Sequence, residues 1–276
     1  MKNLIVTACD AKYGAFLINH WLKSLKTNVN LQNIDILVLD YGLTHDQTKE
    51  LNTEGVIVKK CKRDGHVVNI RYRDIADFLL KHKYDQILST DCGDIIFQED
   101  ISHLFNENKK KFRAAVERAM LVSFFNRFMK SELFEDKLLA QIRTLLKDKK
   151  VINGGFILGP SSKFSVLSKK IYFSIKDKNK YGPDQILINY FLYKRGFVEL
   201  DHTYNFVFLV EDTNFKIKKG VFYFEDGKKI AVPHNAGGTG IARFISKFGF
   251  GPRYNKLRRL HYYSLRIGLK FKKLHQ

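Results

Sequence analysis

Proline is scarce in this chain, 4 in 276 residues, and there is no low-complexity stretch and no internal repeat. That excludes proline-rich linkers, collagen-like segments and solenoid arrays. Cysteine is scarcer. Cys9, Cys61 and Cys92 lie far apart and are odd in number, which makes neither a disulfide framework nor a metal-ligand spacing. They read as free thiols of a reducing compartment. No stretch approaches the roughly 18 apolar residues of a membrane-spanning helix. The opening MKNLIVTACD holds an apolar run that ends too early for a signal peptide. A cytoplasmic location is expected, with peripheral attachment to the inner face of the membrane left open. Acidic residues are missing from one end: none follows Asp226, while residues 227–276 carry 12 Lys or Arg. More than half of the +20 net charge therefore sits in the last fifth of the chain. The expected partner is anionic: a phosphate-bearing substrate, an acidic lipid or a nucleic acid.

What is present is material for a core. Hydrophobic residues make up 45% of the chain and Phe alone supplies 23, so a packed globule is expected. The length suits one large domain with appendages. In the first half, short β-rich runs at 3–8, Ile34–Asp40, 56–59 and 86–90 alternate with helical patterns. The helix over 13–26 carries Leu17, Trp21 and Leu25 at four-residue spacing. Thr44 caps a second helix that ends before Gly55, and 70–81 forms a third. Alternation of this kind predicts a parallel sheet with helices on both faces. The second half is less regular. A strand is expected over Phe112–Val116, mostly helix over 121–147, and an extended run over 151–158. Ser161 or Ser162 caps a further helix, Pro183 opens another that Gly196 ends, and short β runs fall at 205–210 and 221–232. Residues 1–242 are read as one α/β domain and 243–276 as a basic, aromatic C-terminal tail.

One stretch calls for chemistry. In LSTDCGDIIFQED, residues 88–100, an apolar strand stops at Asp91, turns through Cys92 and Gly93, offers Asp94 and turns apolar again. Ligands of parallel α/β sheets bind outside the carboxyl ends of the strands. Two carboxylates this close repel unless a cation lies between them, and Mg²⁺ or Mn²⁺ would satisfy both. Gly93 allows a turn tight enough to aim both side chains at one point. The other reading is a polar turn in which Asp94 bonds the local backbone.

Five segments taken together resemble the GT-A fold glycosyltransferases, in particular the family of lipopolysaccharide galactosyltransferases and glycogenin (glycosyltransferase family 8), over roughly residues 3–240. The acidic motif is similar to the Asp-x-Asp of that family but one residue longer. The resemblance implies a Rossmann-like nucleotide-sugar-binding fold with a mostly parallel sheet. It implies a metal, Mn²⁺ or Mg²⁺, on Asp91, Asp94 and a histidine, and a nucleotide sugar, UDP-linked, as co-substrate. VTACDAKY (6–13) resembles the segment that grips the nucleotide base, implying roles for Thr7, Ala8, Asp10 and Tyr13; otherwise Asp10 is an ordinary helix cap. IRYRDIADFLL (70–80) resembles a helix whose Tyr-Arg pair touches the nucleotide, which implies Arg73 and leaves Arg71 as a solvated neighbour. VINGGFILGP (151–160) places Asn153, Gly154 and Gly155 beside the donor sugar; two glycines in a β run otherwise mark a bulge. YGPDQILIN (181–189) implies Asp184 and Gln185 at the reacting carbon, with Ile186 standing where the family has a second acid. VPHNAGG (232–238) implies His234 as third metal ligand and Gly237 beside the diphosphate. Gly240 occupies the family's Lys position, with Arg243 as its substitute.

The resulting expectation is a metal-dependent hexosyltransferase, retaining if it follows the family, acting on a saccharide or lipid-linked acceptor in bacterial surface polysaccharide synthesis. Two other classes compete. The charge and the aromatics Tyr254, Tyr262 and Tyr263 suit a nucleic-acid-binding protein, although no helix-turn-helix, zinc or RNP-type signature is present. A nucleotidyltransferase would share the sheet, the metal and the nucleotide. The tail interleaves cations with apolar residues and suits an anionic membrane surface, with an interfacial helix from about Asn255. The alternative is that part of it packs on the domain.

Overall fold

The computed structural model describes residues 2–118, 126–211, 213–237, 243–258, 260 and 262. Strands β1 (Asn3–Cys9), β2 (Ile34–Asp40), β3 (Ile57–Lys60) and β4 (Gln86–Thr90) are mutually parallel neighbours. Beyond β4 lie β6 (Ile152–Pro160), β5 (Phe112–Val116) and β7 (Phe197–Leu200), so the seven-stranded order is β3-β2-β1-β4-β6-β5-β7. Only β6 runs antiparallel to its neighbours. The sheet is thus mostly parallel, as expected, with one antiparallel strand. Residues 151–158 read as an apolar run, and strand direction is not encoded in such a run.

Both faces of the central strands are covered, which is why they read as unbroken apolar runs. Leu4, Val6, Leu37, Leu39 and Ile87 point into one core with α4 (Val67–Lys81), α6 (Ser161–Ser174) and α7 (Pro183–Arg195). Ile5, Ile36, Val38 and Leu88 point into the other, against Leu17, Trp21 and Leu25. Those residues belong to a helical stretch in which α1 (Ala11–Phe16) passes through a π-helical turn, Leu17–Leu22, into α2 (Lys23–Asn28). Inside it, the Trp21 indole donates to the Thr90 hydroxyl at 3.2 Å and so anchors the end of β4.

Helix α3 (His45–Thr53) begins with the expected cap: Thr44 and Gln47 form a reciprocal capping box. Helix α6 departs from expectation. It starts at Ser161 itself, with Pro160 at the cap position and no side-chain cap. In the 121–147 region the described helical residues are 126–128 and α5 (Asp136–Leu146), while 119–125 lie outside the described residues. The expected run at 221–232 is strand only over β10 (Val221–Phe224), which forms a hairpin with β9 (Phe215–Lys218).

A third, aromatic cluster joins the C-terminal part to the rest. Phe206, Phe208, Phe222, Phe224 and Phe244 pack together with Ile96. Gln98 ties it down: its amide donates to the Phe222 and Ile230 carbonyls and accepts from the Phe222 amide. The apolar residues after Asp94 therefore dock this cluster onto the sheet. Part of the tail is built into it. Ile245–Ser246 (β12) pairs with Lys256–Leu257 (β13), Phe248 stacks on Phe16, and the Phe250 amide donates to His20. The strand at Lys256–Leu257 replaces the start of the expected interfacial helix; residues 259, 261 and 263–276 lie outside the described residues. Among the described residues no helix is long and apolar enough to cross a membrane.

Candidate active site

The site lies past the carboxyl end of β4. The Asp91 amide donates to the Gly155 carbonyl, which holds the turn against β6. Asp94 is placed by the opposite neighbour: its carbonyl accepts from the Asn235 amide, and Ile95 bridges His234. His234 sits on β11 (Pro233–His234), which pairs with β8 (Phe206–Val207). These backbone bonds bring Asp91, Asp94 and His234 together, one ligand atom from each lying within 4.8 Å of the others. Two carboxylate oxygens and an imidazole nitrogen suit Mn²⁺, and Mg²⁺ less well. Gly155 supports that fit. A Cβ there would lie 2.6 Å from the His234 ring and 3.0 Å from Asp91 Oδ2, so only a glycine leaves the space beside these donors open. Gly93 is equally close to Tyr13, whose ring would lie 2.7 Å from an added Cβ.

The positive charge around the cluster comes from Arg71, which pattern reading placed in solvent, and from Arg243. Arg71 is not a solvated neighbour: it is 5% exposed, donates to Asp91 Oδ1 at 2.6 Å and lies 3.5 Å from Asp184 Oδ2. Its place on the inward face of α4, with Ile70, Asp74 and Ile75, is the reason, and a charged residue in a helix is ordinarily read as outward. Arg73 is held by Asp64, Asp74 and the Lys62 carbonyl, none of them in the cluster. Arg243 donates to Asp94 Oδ2 at 2.9 Å and to the Gly237 carbonyl at 2.6 Å. With Lys247 and Arg258 it lines a cleft of about 270 Å³ that also touches Gly93 and Asn235.

The remaining sequence candidates are distributed as follows. Thr7 is buried and donates to the Thr90 carbonyl, and Ala8 is half-buried on the same strand. Asp10 makes no side-chain cap and pairs instead with Arg63 at 3.1 Å; Tyr13 is 37% exposed. Gln185 binds β6 at both ends of its amide, accepting from Gly154 and donating to the Ile152 carbonyl. Asn153 is engaged likewise, donating to Glu117 and accepting from Gly155. Burial pushes the Asp184 carboxyl up to about 6, with Arg71 opposing the rise. The neighbouring Cys9 and burial raise the Cys92 thiol, which is an inert wall.

Sequence reading missed Glu117, Asn205 and Glu211. Burial raises Glu117 to about 7, opposed by Asn153 and His234 and reinforced by Glu211. Glu117 follows β5 and is the one member with a legible signal, an acid at a strand end. Asn205 ends a short 3-10 helix (His202–Asn205) and Glu211 follows a turn, and no periodicity discloses either.

No family model matches the chain, and no curated protein matches it. Solved structures do. The glycosyltransferase GlyE of Streptococcus pneumoniae TIGR4 superposes with a TM-score of 0.57 at 18% identity, over 99% of this chain and 64% of that one. This chain thus spans less than two thirds of the length of GlyE. The galactosyltransferase LgtC, in complex with donor and acceptor sugar analogs, superposes with a TM-score of 0.58 at 16% identity, over 96% of this chain and 95% of that one. The fold is that of the GT-A glycosyltransferases.

Proposed function

We propose that this chain is a metal-dependent glycosyltransferase that moves a hexose from a nucleotide sugar to a saccharide or lipid-linked acceptor. The observation that carries the reading is the convergence of Asp91, Asp94 and His234 beyond β4, in a fold shared with glycosyltransferases. Asp91, Asp94 and the His234 imidazole would hold Mn²⁺ or Mg²⁺, which supplies Lewis-acid stabilisation of the departing diphosphate. Arg243, Lys247 and Arg258 would receive the diphosphate oxygens in the adjoining cleft and fix the leaving group. Asp10 and Tyr13 stand at the carboxyl end of β1, where the base of a UDP donor would lie.

In the transfer, the bond from the anomeric carbon to the phosphate oxygen breaks and one to an acceptor oxygen forms. The acceptor hydroxyl passes its proton to the departing diphosphate, which takes the electrons of the broken bond and leaves with the nucleoside. Asp184 and Gln185 are the proposed groups nearest the anomeric carbon. Asp184 shares Arg71 with Asp91, and Gln185 holds Gly154, next to the Gly155 that borders the donors. We propose retention of configuration, in keeping with the family resemblance. Surface polysaccharide synthesis and attachment to an anionic membrane belong to the same reading, supported by the basic C-terminal segment.

The test is a donor screen with UDP-glucose, UDP-galactose and their N-acetyl forms, scored by nucleotide release with Mn²⁺ and with EDTA. Metal-dependent release of UDP is expected. Absence of release, together with no heat of UDP binding, overturns the reading. Transfer of a nucleotidyl group with release of pyrophosphate would make the chain a nucleotidyltransferase.

A further inference from the structure

His234 is 1% exposed and is contacted on both ring nitrogens. Nε2 lies 3.3 Å from Asp94 Oδ1, on the side of the carboxylate cluster. Nδ1 lies 2.8 Å from Asn205 Oδ1. Both contacts are to acceptors, so which nitrogen carries the proton of a neutral ring is decided by what stands behind each. Behind Nδ1 stands a chain of amides with one polarity. Asn205 Nδ2 donates to Asn153 Oδ1 at 3.3 Å and to the Asn153 carbonyl at 3.5 Å. Asn153 Nδ2 donates to Glu117 Oε1 at 3.2 Å.

Two backbone groups fix this polarity, because a peptide N–H can only donate and a C=O can only accept. The Gly155 N–H donates to Asn153 Oδ1 at 2.9 Å, so the oxygen end of that amide faces Gly155 and Asn205. Asn205 must then turn its NH₂ toward Asn153, which leaves its oxygen facing His234. Reversing either amide would set carbonyl oxygen against carbonyl oxygen, or an NH₂ against the Gly155 N–H. Glu117 terminates the chain with the acceptor that the Asn153 NH₂ requires. With Asn205 Oδ1 at 2.8 Å, an unprotonated Nδ1 would face it lone pair to lone pair between two buried side chains. The contact on the other side is longer, and Asp94 also has Arg243 to accept from.

We infer that Asn205, backed by Asn153 and Glu117, holds His234 in the Nδ1–H tautomer, so that the Nε2 lone pair is aimed at the space between Asp91 and Asp94. These three are positioning residues, acting through His234. A metal-ligating histidine is ordinarily oriented by an acceptor on its second nitrogen, and here that acceptor is a side-chain amide whose direction is set by the Gly155 N–H through Asn153. The tautomer assignment stands on hydrogen bonds alone; its use in metal binding rests on the reading given under Proposed function.

The test is ¹⁵N NMR of the His234 ring in the full chain without metal, at a pH where the imidazole is neutral. Mn²⁺ affinity is measured by electron paramagnetic resonance without nucleotide. The wild type should show Nδ1–H. Asn205→Ala should move the proton to Nε2, toward Asp94, and weaken Mn²⁺ about 10- to 100-fold. A wild-type ring protonated on Nε2 overturns the inference, and this result needs no variant to fold. An unchanged Mn²⁺ affinity in a folded Asn205→Ala also overturns it. Nδ1–H in a wild type that binds no Mn²⁺ leaves the relay in place and overturns the metal reading instead.

Discussion

Arg71→Met is the most informative single change, because its effect must depend on pH. Asp184 is buried and titrates at about 6 in the fold, whereas an unfolded Asp titrates near 3.9. The folded state therefore binds this proton more tightly than the unfolded state does. The sign follows: stability falls as pH rises from about 4 to about 6, and above that window the charged Asp184 costs ~3 kcal/mol, two units at about 1.4 kcal/mol each. Arg71 keeps that cost from being larger, standing 3.5 Å from Asp184 and 2.6 Å from Asp91. Methionine fills similar space with no charge. Without the guanidinium the Asp184 carboxyl climbs past neutrality, and the added cost at pH 7 is capped by protonation at about 1.4 kcal/mol, the distance from 6 to 7. At pH 8 the cap rises to about 3 kcal/mol. Asp91 is 34% exposed, so its lost partner adds no more than ~1 kcal/mol. Urea unfolding of wild type and variant at pH 5, 7 and 8, without metal, measures the difference. The expected gap is under about 1 kcal/mol at pH 5, about 1–2.5 at pH 7, and wider at pH 8. A gap of the same size at all three pH values would refute the argument, since it would place the effect in packing rather than charge.

Chelation with EDTA should abolish donor hydrolysis, and Asp94→Ala should do the same with the far-UV spectrum unchanged; full turnover in excess EDTA rules out the metal. Gly155→Ala should drop Mn²⁺ affinity at least tenfold and cost about 1–3 kcal/mol of stability, because the new methyl lies against His234 and Asp91. Wild-type Mn²⁺ binding in that variant would show that the donors close on some other space. Anionic vesicles should sediment the full chain at low salt and release a chain ending at Tyr262, which lacks Arg266, Lys270, Lys272 and Lys273 and so loses up to ~4 kcal/mol of surface attraction. The cut is placed there because Phe244, Ile245 and Tyr262 are core residues. Equal binding by the two chains removes the terminal cations from any membrane role.

How far the sequence could be read depended on the range of the interactions involved. Where neighbours in sequence decide the outcome, the reading held. Apolar runs located β2 and β5 to the residue, the 3.6-residue pattern placed α4 to within a turn, and Thr44 marked the start of α3, whereas in the expected helix over 121–147 the described helical residues are 126–128 and α5. The Asp91–Asp94 turn was visible for the same reason: a run of buried residues cannot stop on two acids without a local cause. Tertiary structure alone decided the rest. The antiparallel course of β6 depends on which strand it meets, since an apolar run pairs equally well in either direction. The burial of Arg71 depends on which face of α4 meets Asp91 and Asp184, groups 20 and 113 residues further along the chain. The amide chain from Glu117 to His234 is assembled from four segments. Hydrogen bonds act over about 3 Å of space and take no account of separation along the sequence, so a network of that kind exists only once the chain has folded.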